Sequence, residues 1–313
     1  MQWEKKGLIY GPSGESSWAK HSVLQPTPLV RHDDGFIRIF GGMRDDEGVS
    51  RVGFVDVSAE DPSRVLRVSK APVLDVGIPG AFDENGVVPC AVVEHDGQLR
   101  LFYAGYQIGQ KVKFFVFGGM AVSRDSGETF IRVSRVPVCD RRDQELFFRV
   151  IHTMMFDGGR WRAWYGGGDS FDLIDSHQYP RYNIRHAYSP DGMSLEDEYQ
   201  VCVDMRGSEY RVGRPYVIKR GELYCMFYGA GTVAEGYRLA YAESLDGINW
   251  TRKENVGIDV SPRGWDSQMQ AYPSVVTYKN FTYLFYNGNN YGREGFGYAL
   301  LENCSDSNLM EPR

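Results

Sequence analysis

Four segments of this chain carry charge where a plain lead-in to a strand would carry Val, Thr and Gly. They read GAFDENGVVP (80–89), DRRDQELFFRVIH (140–152), GSEYRVGRP (207–215) and GWDSQMQAYP (264–273). Their carboxylates Asp83, Glu145, Glu209 and Asp266 are candidates for proton transfer, which needs an acid or base held at the reacting atom. Arg149, Arg211 and Arg214 could form a forked, permanently charged clamp, with His152 as a further donor. Such a clamp suits an anionic ligand: a uronic or sialic-type acid, a sugar phosphate or a nucleotide sugar. A fifth segment, HSVLQPTP (21–28), adds Gln25. The bland roles for the same residues are structural. Asp83 and Asp266 could cap turns through backbone N–H groups, and the arginines could pair with Glu145 and Glu209. Alternation along a strand also splits Arg211 from Arg214 and Arg149 from His152, so only one of each pair faces a given pocket. Gln268, Gln270 and Tyr272 alternate onto one face, with Asn287 nearby. Amides and a tyrosine ring suit sugar hydroxyls and the apolar face of a pyranose.

A repeat brings these segments together. Each precedes or opens a pair of alternating runs joined by a tight polar turn. The five copies are TPLVRHDDGFIRIFGGM (27–43), VPCAVVEHDGQLRLFYAGY (88–106), IHTMMFDGGRWRAWYGGG (151–168), RPYVIKRGELYCMFYGAG (214–231) and YPSVVTYKNFTYLFYNGN (272–289). Period-2 alternation around Asp-Gly, Arg-Gly or Lys-Asn predicts hairpins. A third strand and an outer turn follow in GGMAVSRDSGETFIRV (118–133), RHAYSPDGMSLED (185–197) and RLAYAESLDGINWTRK (238–253). Four-stranded antiparallel units at this period predict an all-β, five-bladed β-propeller. The blades fall near 20–75, 80–138, 143–204, 207–260 and 264–302, in a single domain over 1–313. The last blade supplies three strands. QWEKKGLIYGP (2–12) is like INWTRKENVGI (248–258), so residues 2–10 are expected to complete it, closing the ring and removing an exposed edge. The competing arrangement, two β-sandwich domains, would need a linker, and no Pro/Ser-rich stretch interrupts the repeat.

In such a ring the innermost strands line a central channel, and the segments ahead of them meet at one mouth. Long insertions at 165–183 and 103–115 would rim that mouth and carry specificity. Trp161 and Trp164, three apart, read as blade packing, and His177 and His186 as solvent-side residues.

Composition narrows the class. At 313 residues and 42% hydrophobic, the chain suffices for one large core. A net charge of −6 offers no basic field for nucleic acid. No apolar run has membrane-spanning length, and MQWEKKGLIY lacks the apolar centre of an export signal. Cys90, Cys139, Cys202, Cys225 and Cys304 are scattered without C-x-x-C spacing, which reads as reduced thiols in a cytoplasmic protein. The sequons at Asn249, Asn280 and Asn303 then carry little weight. The six histidines show no ligand spacing, so neither a catalytic metal nor a cofactor is expected.

The five-fold pattern, with S-x-D-G-x-x-W at 244–250 and a looser copy at 189–195, resembles the five-bladed glycoside hydrolases of families 43, 32, 68 and 130. GWDSQMQAYPSVV and FYNGNNYGREGFGYA are similar to a branch found among uncharacterised sugar-processing and polysaccharide-cluster proteins. The resemblance implies hydrolysis or transfer of a glycosyl group by paired carboxylates at one mouth of the channel. One acts as base or nucleophile, a second protonates the leaving oxygen, and a third fixes the pKa and the substrate. The implied partner is a small saccharide or activated sugar. The family's Asp-Pro is absent: Gln25-Pro26 and Thr27-Pro28 stand there, and Val88 precedes Pro89. Arg149 to His152 replaces the family's Glu-Gly-Pro. The roles would pass to Asp83 as base or stabiliser and to Glu145 or Glu209 as acid, with Asp266 a further carboxylate. A second reading keeps the fold without hydrolysis: binding or modification of an anionic sugar or nucleotide sugar in glycan or natural-product biosynthesis. A third is a pure interaction scaffold.

Overall fold

A computed structural model describes residues 1–301; Cys304, the Asn303 sequon and position 302 of the expected last blade lie outside the described residues. Strand β1 (Trp3–Tyr10) comes first. Then follow β2 (His21–Arg31), β3 (Phe36–Arg44), β4 (Ser50–Ser58) and β5 (Val65–Val68). The second set is β6 (Val87–His95), β7 (Gln98–Ile108), β8 (Phe114–Ser123) and β9 (Ile131–Arg132). The third is β10 (Phe148–Asp157), β11 (Arg160–Ile174), β12 (His177–Ser189) and β13 (Tyr199–Val203). The fourth is β14 (Glu209–Arg220), β15 (Leu223–Thr232), β16 (Gly236–Ser244) and β17 (Thr251–Lys253). The last is β18 (Ala271–Tyr278), β19 (Phe281–Asn287) and β20 (Phe296–Leu301), beside which β1 lies antiparallel, Trp3 opposite Leu301.

The chain is all-β. Among the described residues the strands join into three sheets, two of four strands and one of twelve. The large sheet arises because β8 and β10, and β12 and β14, meet over one or two parallel rungs. The other pairings within it are antiparallel. Tight turns do what their sequences ask. Asp96 and Gly97 have φ of 50° and 69°, the paired left-handed conformation of a two-residue hairpin. The recurring outer turn is local hydrogen bonding: Asp246 accepts from the N–H groups of Ile248 and Asn249, and Ser244 Oγ from that of Gly247. Asp125 and Asp191 do the same in their copies.

Apolar side chains fill the spaces between sets. Phe40 and Phe54 pack on Leu101 and Phe117 between the first two. Phe102 and Met120 meet Ile151 and Trp161 between the second and third. Trp164 and Ile184 meet Val217 and Met226, and Phe227 and Leu239 meet Leu284 and Tyr286. Ile37, Ile39 and Val55 of the first set pack against Tyr283, Phe285 and Tyr298 of the last. Trp161 and Trp164 are therefore packing residues, as their spacing suggests. His186 differs from expectation: it is 2% exposed, packed on Trp164, and accepts from Arg162 Nε at 3.2 Å. Burial and the neighbouring arginines push it down to about 4. The long insertion is also more ordered than a loop. It extends β11 and β12 as one hairpin, tied near its tip by Gln178 to the backbone of Lys111 and Lys113.

None of the described helices is long and apolar enough to cross a membrane. Removing residues 1–10 should strip β20 of its partner strand and free a hydrogen-bonding edge. The expected result is loss of the full-length protein's elution position on size exclusion in favour of aggregate; a truncation that elutes as the full-length protein does, with an unchanged unfolding midpoint, would show that β1 is dispensable.

Candidate functional site: the meeting point of the inner strands

The four candidate acids share one local design. Asp83 is buried, its Oδ2 accepting from Arg132 Nε of β9 at 2.7 Å and Tyr103 Oη of β7 at 3.1 Å. Asp266 Oδ2 meets Lys5 Nζ of β1 at 2.8 Å, Tyr286 Oη of β19 at 3.0 Å and Gln270 Nε2 at 3.2 Å. Glu209 takes both terminal nitrogens of Arg252 of β17, at 2.6 and 3.0 Å. Glu145, 0% exposed, sits among three arginines: Arg142 Nε at 2.6 Å, Arg149 Nε at 2.8 Å and Arg185 Nη1 at 3.0 Å. Tyr165, in the place of Tyr103 and Tyr286, accepts from Arg142 at 3.0 Å. In three sets the cation comes from the outermost strand, so the acid fastens a set's lead-in loop to its far edge. Beside Asp83 opens a cavity of about 610 Å³, lined by Ile78, Phe130, Ile131 and Arg132. Asp83 is the one carboxylate among its lining residues.

Burial alone would raise the Asp266 carboxyl; Lys5, Ser261 and Tyr286 together hold it below the usual range. Its folded value is the lower one. The pair's contribution is therefore present above about pH 4 and lost as pH falls through the folded value. Lys5→Met should accordingly lower stability near neutrality and flatten its decline below pH 4, read from urea midpoints across pH. Parallel profiles for the two proteins would contradict the linkage.

A different set of residues meets at the centre. Pairing of each inner strand with its neighbour slips at one corresponding place, Leu24/Thr27, Pro89/Ala91, Ile151/Thr153, Gly213/Tyr216 and Ala271/Ser274, with a further slip earlier in β2 and β14. Such bulges re-aim side chains and recur beside active sites. The side chains released are Gln25, Cys90, His152, Arg214 and Tyr272, one per set. Three of them are non-glycine residues in the left-handed region: Gln25 at φ 54°, Arg214 at 57° and Tyr272 at 57°. Strain of this kind persists where surrounding structure imposes it, commonly at functional sites.

Arg214 is the centre of this group. It is 3% exposed, donates to Thr27 Oγ1 at 3.1 Å, and leaves Nε and Nη1 without a partner. The groups that act on its charge are Cys90, Tyr216 and Tyr272, none a carboxylate, and burial pushes its pKa down. His152 is buried with Nδ1 unpartnered; burial and then Arg214 hold it well below its usual value, hence neutral. Cys90 lies 3.5 Å from Gln25 Oε1, and burial pushes its thiol up to about 12.

Around this floor stand half-buried aromatics: Tyr106, Phe114, Phe148, Tyr272 and Tyr291. Arg211 is held over the rings of Tyr237, Tyr210 and Tyr291 at 4.0, 4.6 and 5.3 Å. Its Nη2 donates to Tyr291 Oη at 2.8 Å, and its Nε has no partner. Arg44 Nε is likewise unpartnered, and both Arg44 and Arg211 act on Tyr106.

The expected binding residues thus separate. Gln25, His152, Arg211, Arg214 and Tyr272 meet at the centre, whereas Arg149 is committed to Glu145. The bulge breaks the alternation that had set Arg211 against Arg214: both act on Tyr272 or its neighbours. Gln268 and Gln270 lie ahead of β18, so strand alternation does not govern them; Gln268 is exposed and Gln270 serves Asp266. Asn287 is spent on backbone, accepting from Gln25 N–H at 2.8 Å and donating to Val23 and Gly295 carbonyls at 2.6 and 2.8 Å. It positions Gln25. Cys90 escaped the sequence reading because a lone buried thiol carries no signal of its own.

No family model matches the chain. The uncharacterized protein Rv1502 of Mycobacterium tuberculosis is 34% identical over 309 residues, covering 97% of this chain and 100% of that protein. A β-1,2-mannobiose phosphorylase of Thermoanaerobacter is 29% identical over 111 residues, 31% of this chain and 36% of its own length. A solved thermostable family-43 glycoside hydrolase superposes with a TM-score of 0.70 at 15% identity, covering 95% of this chain and 96% of that one. The fold is shared with that solved glycoside hydrolase.

Proposed function

The chain belongs to the family of the Mycobacterium tuberculosis protein Rv1502, and from that premise we propose that it is a carbohydrate-active protein whose saccharide binds where the five inner strands meet. The five antiparallel sets are read as blades of one ring, closed by β1. Tyrosine and phenylalanine faces at the mouth suit the apolar face of a pyranose. The observation that supports the site is a register slip at Gln25, Cys90, His152, Arg214 and Tyr272 in five strands that lie against one another.

On this reading the ligand bears an oxyanion. Arg214 is a buried guanidinium with two donors unused and no carboxylate acting on it, and an uncompensated buried charge is costly unless something completes it. Arg211 and Arg44 add unpartnered donors nearby. A phosphorylase joins a glycosyl group to phosphate, so the partial relative's name fits a site handling sugar and oxyanion together. The oxyanion is either the carboxylate of an acidic sugar or a phosphate.

Glycosyl hydrolysis or transfer by paired carboxylates is the other reading, supported by the superfamily fold. It requires Asp83, Glu145, Glu209 or Asp266 to leave its cation for substrate. Our reading assigns these acids to fastening the blades.

Calorimetric titration of the full-length protein with glucuronate, mannose 1-phosphate, inorganic phosphate and neutral mannose tests the site. Binding of at least one anionic probe, about tenfold or more tighter than mannose, is expected. Equal or absent binding of all four contradicts an oxyanion site, and turnover of neutral aryl glycosides lost on Asp83→Asn would restore the carboxylate reading.

A further inference from the structure

We propose that Tyr291 is a specificity-determining residue of this site, one that an incoming oxyanion displaces from Arg211 and a neutral sugar does not. The inference rests on reading the centre as an anionic saccharide site. Tyr291 lies in the β19–β20 connection, in which it and Asn290 are consecutive left-handed non-glycine residues, φ 58° and 50°. The connection is held firmly at its base and strained at its crest. Asn289 Oδ1 accepts from the N–H groups of Gln268 and Met269 at 2.7 and 3.2 Å, and Asn287 ties Gly295 to Val23. Gly292 and Gly295, at φ 80° and 117°, follow the crest.

From that crest Tyr291 lies 6.4 Å from Tyr272, stacked at 29°, and its hydroxyl accepts from Arg211 Nη2 at 2.8 Å. The donors left over on Arg211 and Arg214 are fully buried in this arrangement. Tyr291 therefore lies over the Arg211 guanidinium and occupies one of its donors with a neutral acceptor. An oxyanion is the stronger acceptor, because with the guanidinium it adds charge–charge attraction and a bidentate geometry that the neutral hydroxyl lacks. It takes Nη2, the crest relaxes, and the ring turns from cover to wall. A neutral sugar hydroxyl has no such advantage and leaves Tyr291 in place. Tyr182 and Tyr237, whose hydroxyls touch, also contact Arg211 and hold the guanidinium during the exchange.

Tyr291→Phe keeps the ring and deletes the competing acceptor. It should tighten binding of glucuronate or inorganic phosphate by about tenfold or more, on the scale of one hydrogen bond to a charged group, and leave mannose unchanged. Tyr291→Ala should in addition speed phenylglyoxal labelling of Arg211 at least about tenfold, mapped by peptide mass, while Arg38, buried against Asp56 and Glu128, keeps its rate. Unchanged or weakened anion binding by Tyr291→Phe, beside anion binding by the wild type, overturns the role of Tyr291 and spares the site. Labelling that rises equally at Arg38 and Arg211 also overturns it, as general loosening. Absence of anion binding in both proteins overturns the site itself.

Discussion

Arg214→Met should abolish anion binding and leave the protein as stable as the wild type or more so. The guanidinium is buried, with two of its donors idle and only a hydroxyl and a carbonyl accepting from the third nitrogen. Removing a charge from water costs several kcal/mol, and replacing buried ionic groups by apolar ones of similar volume is often neutral or stabilising by about 1–4 kcal/mol. The methionine side chain would fill the same space among Cys90, Tyr216 and Tyr272. Loss of affinity should exceed about 100-fold, the scale of a severed charge-assisted contact in a dry site. Opposite signs for stability and binding mark a residue kept for its ligand. Urea unfolding alongside calorimetric titration separates the two. A variant that is less stable by more than about 1 kcal/mol, yet binds the anionic probes as before, would make Arg214 a structural residue instead.

Glu145→Gln should do the reverse. The carboxylate neutralises a cage of three arginines, and its contacts to Arg142 and Arg149 are close ion pairs rather than aligned hydrogen bonds. Substituting an amide leaves three cations crowded in a buried space, a change on the order of 3–5 kcal/mol. A general acid would behave otherwise, because the near-isosteric amide would spare the fold and remove turnover. Full stability with lost turnover on any aryl glycoside would return Glu145 to catalysis. A large fall in the urea midpoint, with anion binding retained below it, is the expected result.

The hairpins were legible because a two-residue turn with positive φ leaves few residue choices, and Asp96-Gly97 is one of them. The pairing of β1 with β20 was legible in the likeness of QWEKKG to INWTRK. That same likeness held the clue to the acids. Aromatic-x-basic recurs as Phe130-Ile131-Arg132, Trp250-Thr251-Arg252 and Trp3-Glu4-Lys5, and these cations hold Asp83, Glu209 and Asp266. Reading the acids without their distant partners made them look free. The centre was obscured for another reason. Alternation presumes an unbroken ladder, and Pro26, Pro215 and Pro273 lack the N–H that would sustain one. The ladder lapses beside each of them, and the preceding residues Gln25, Arg214 and Tyr272 turn left-handed. X-Pro in an inner strand was the visible sign, and a period-2 rule discards it.

A crystal of the protein soaked with glucuronate, and a second soaked with mannose 1-phosphate, would test the central claim most directly. The account predicts an oxyanion within hydrogen-bonding distance of Arg214 or Arg211, the pyranose against Tyr272, and Asp83, Glu145, Glu209 and Asp266 still on their cations. A sugar seated instead between two of those carboxylates, with Arg214 untouched, would contradict it.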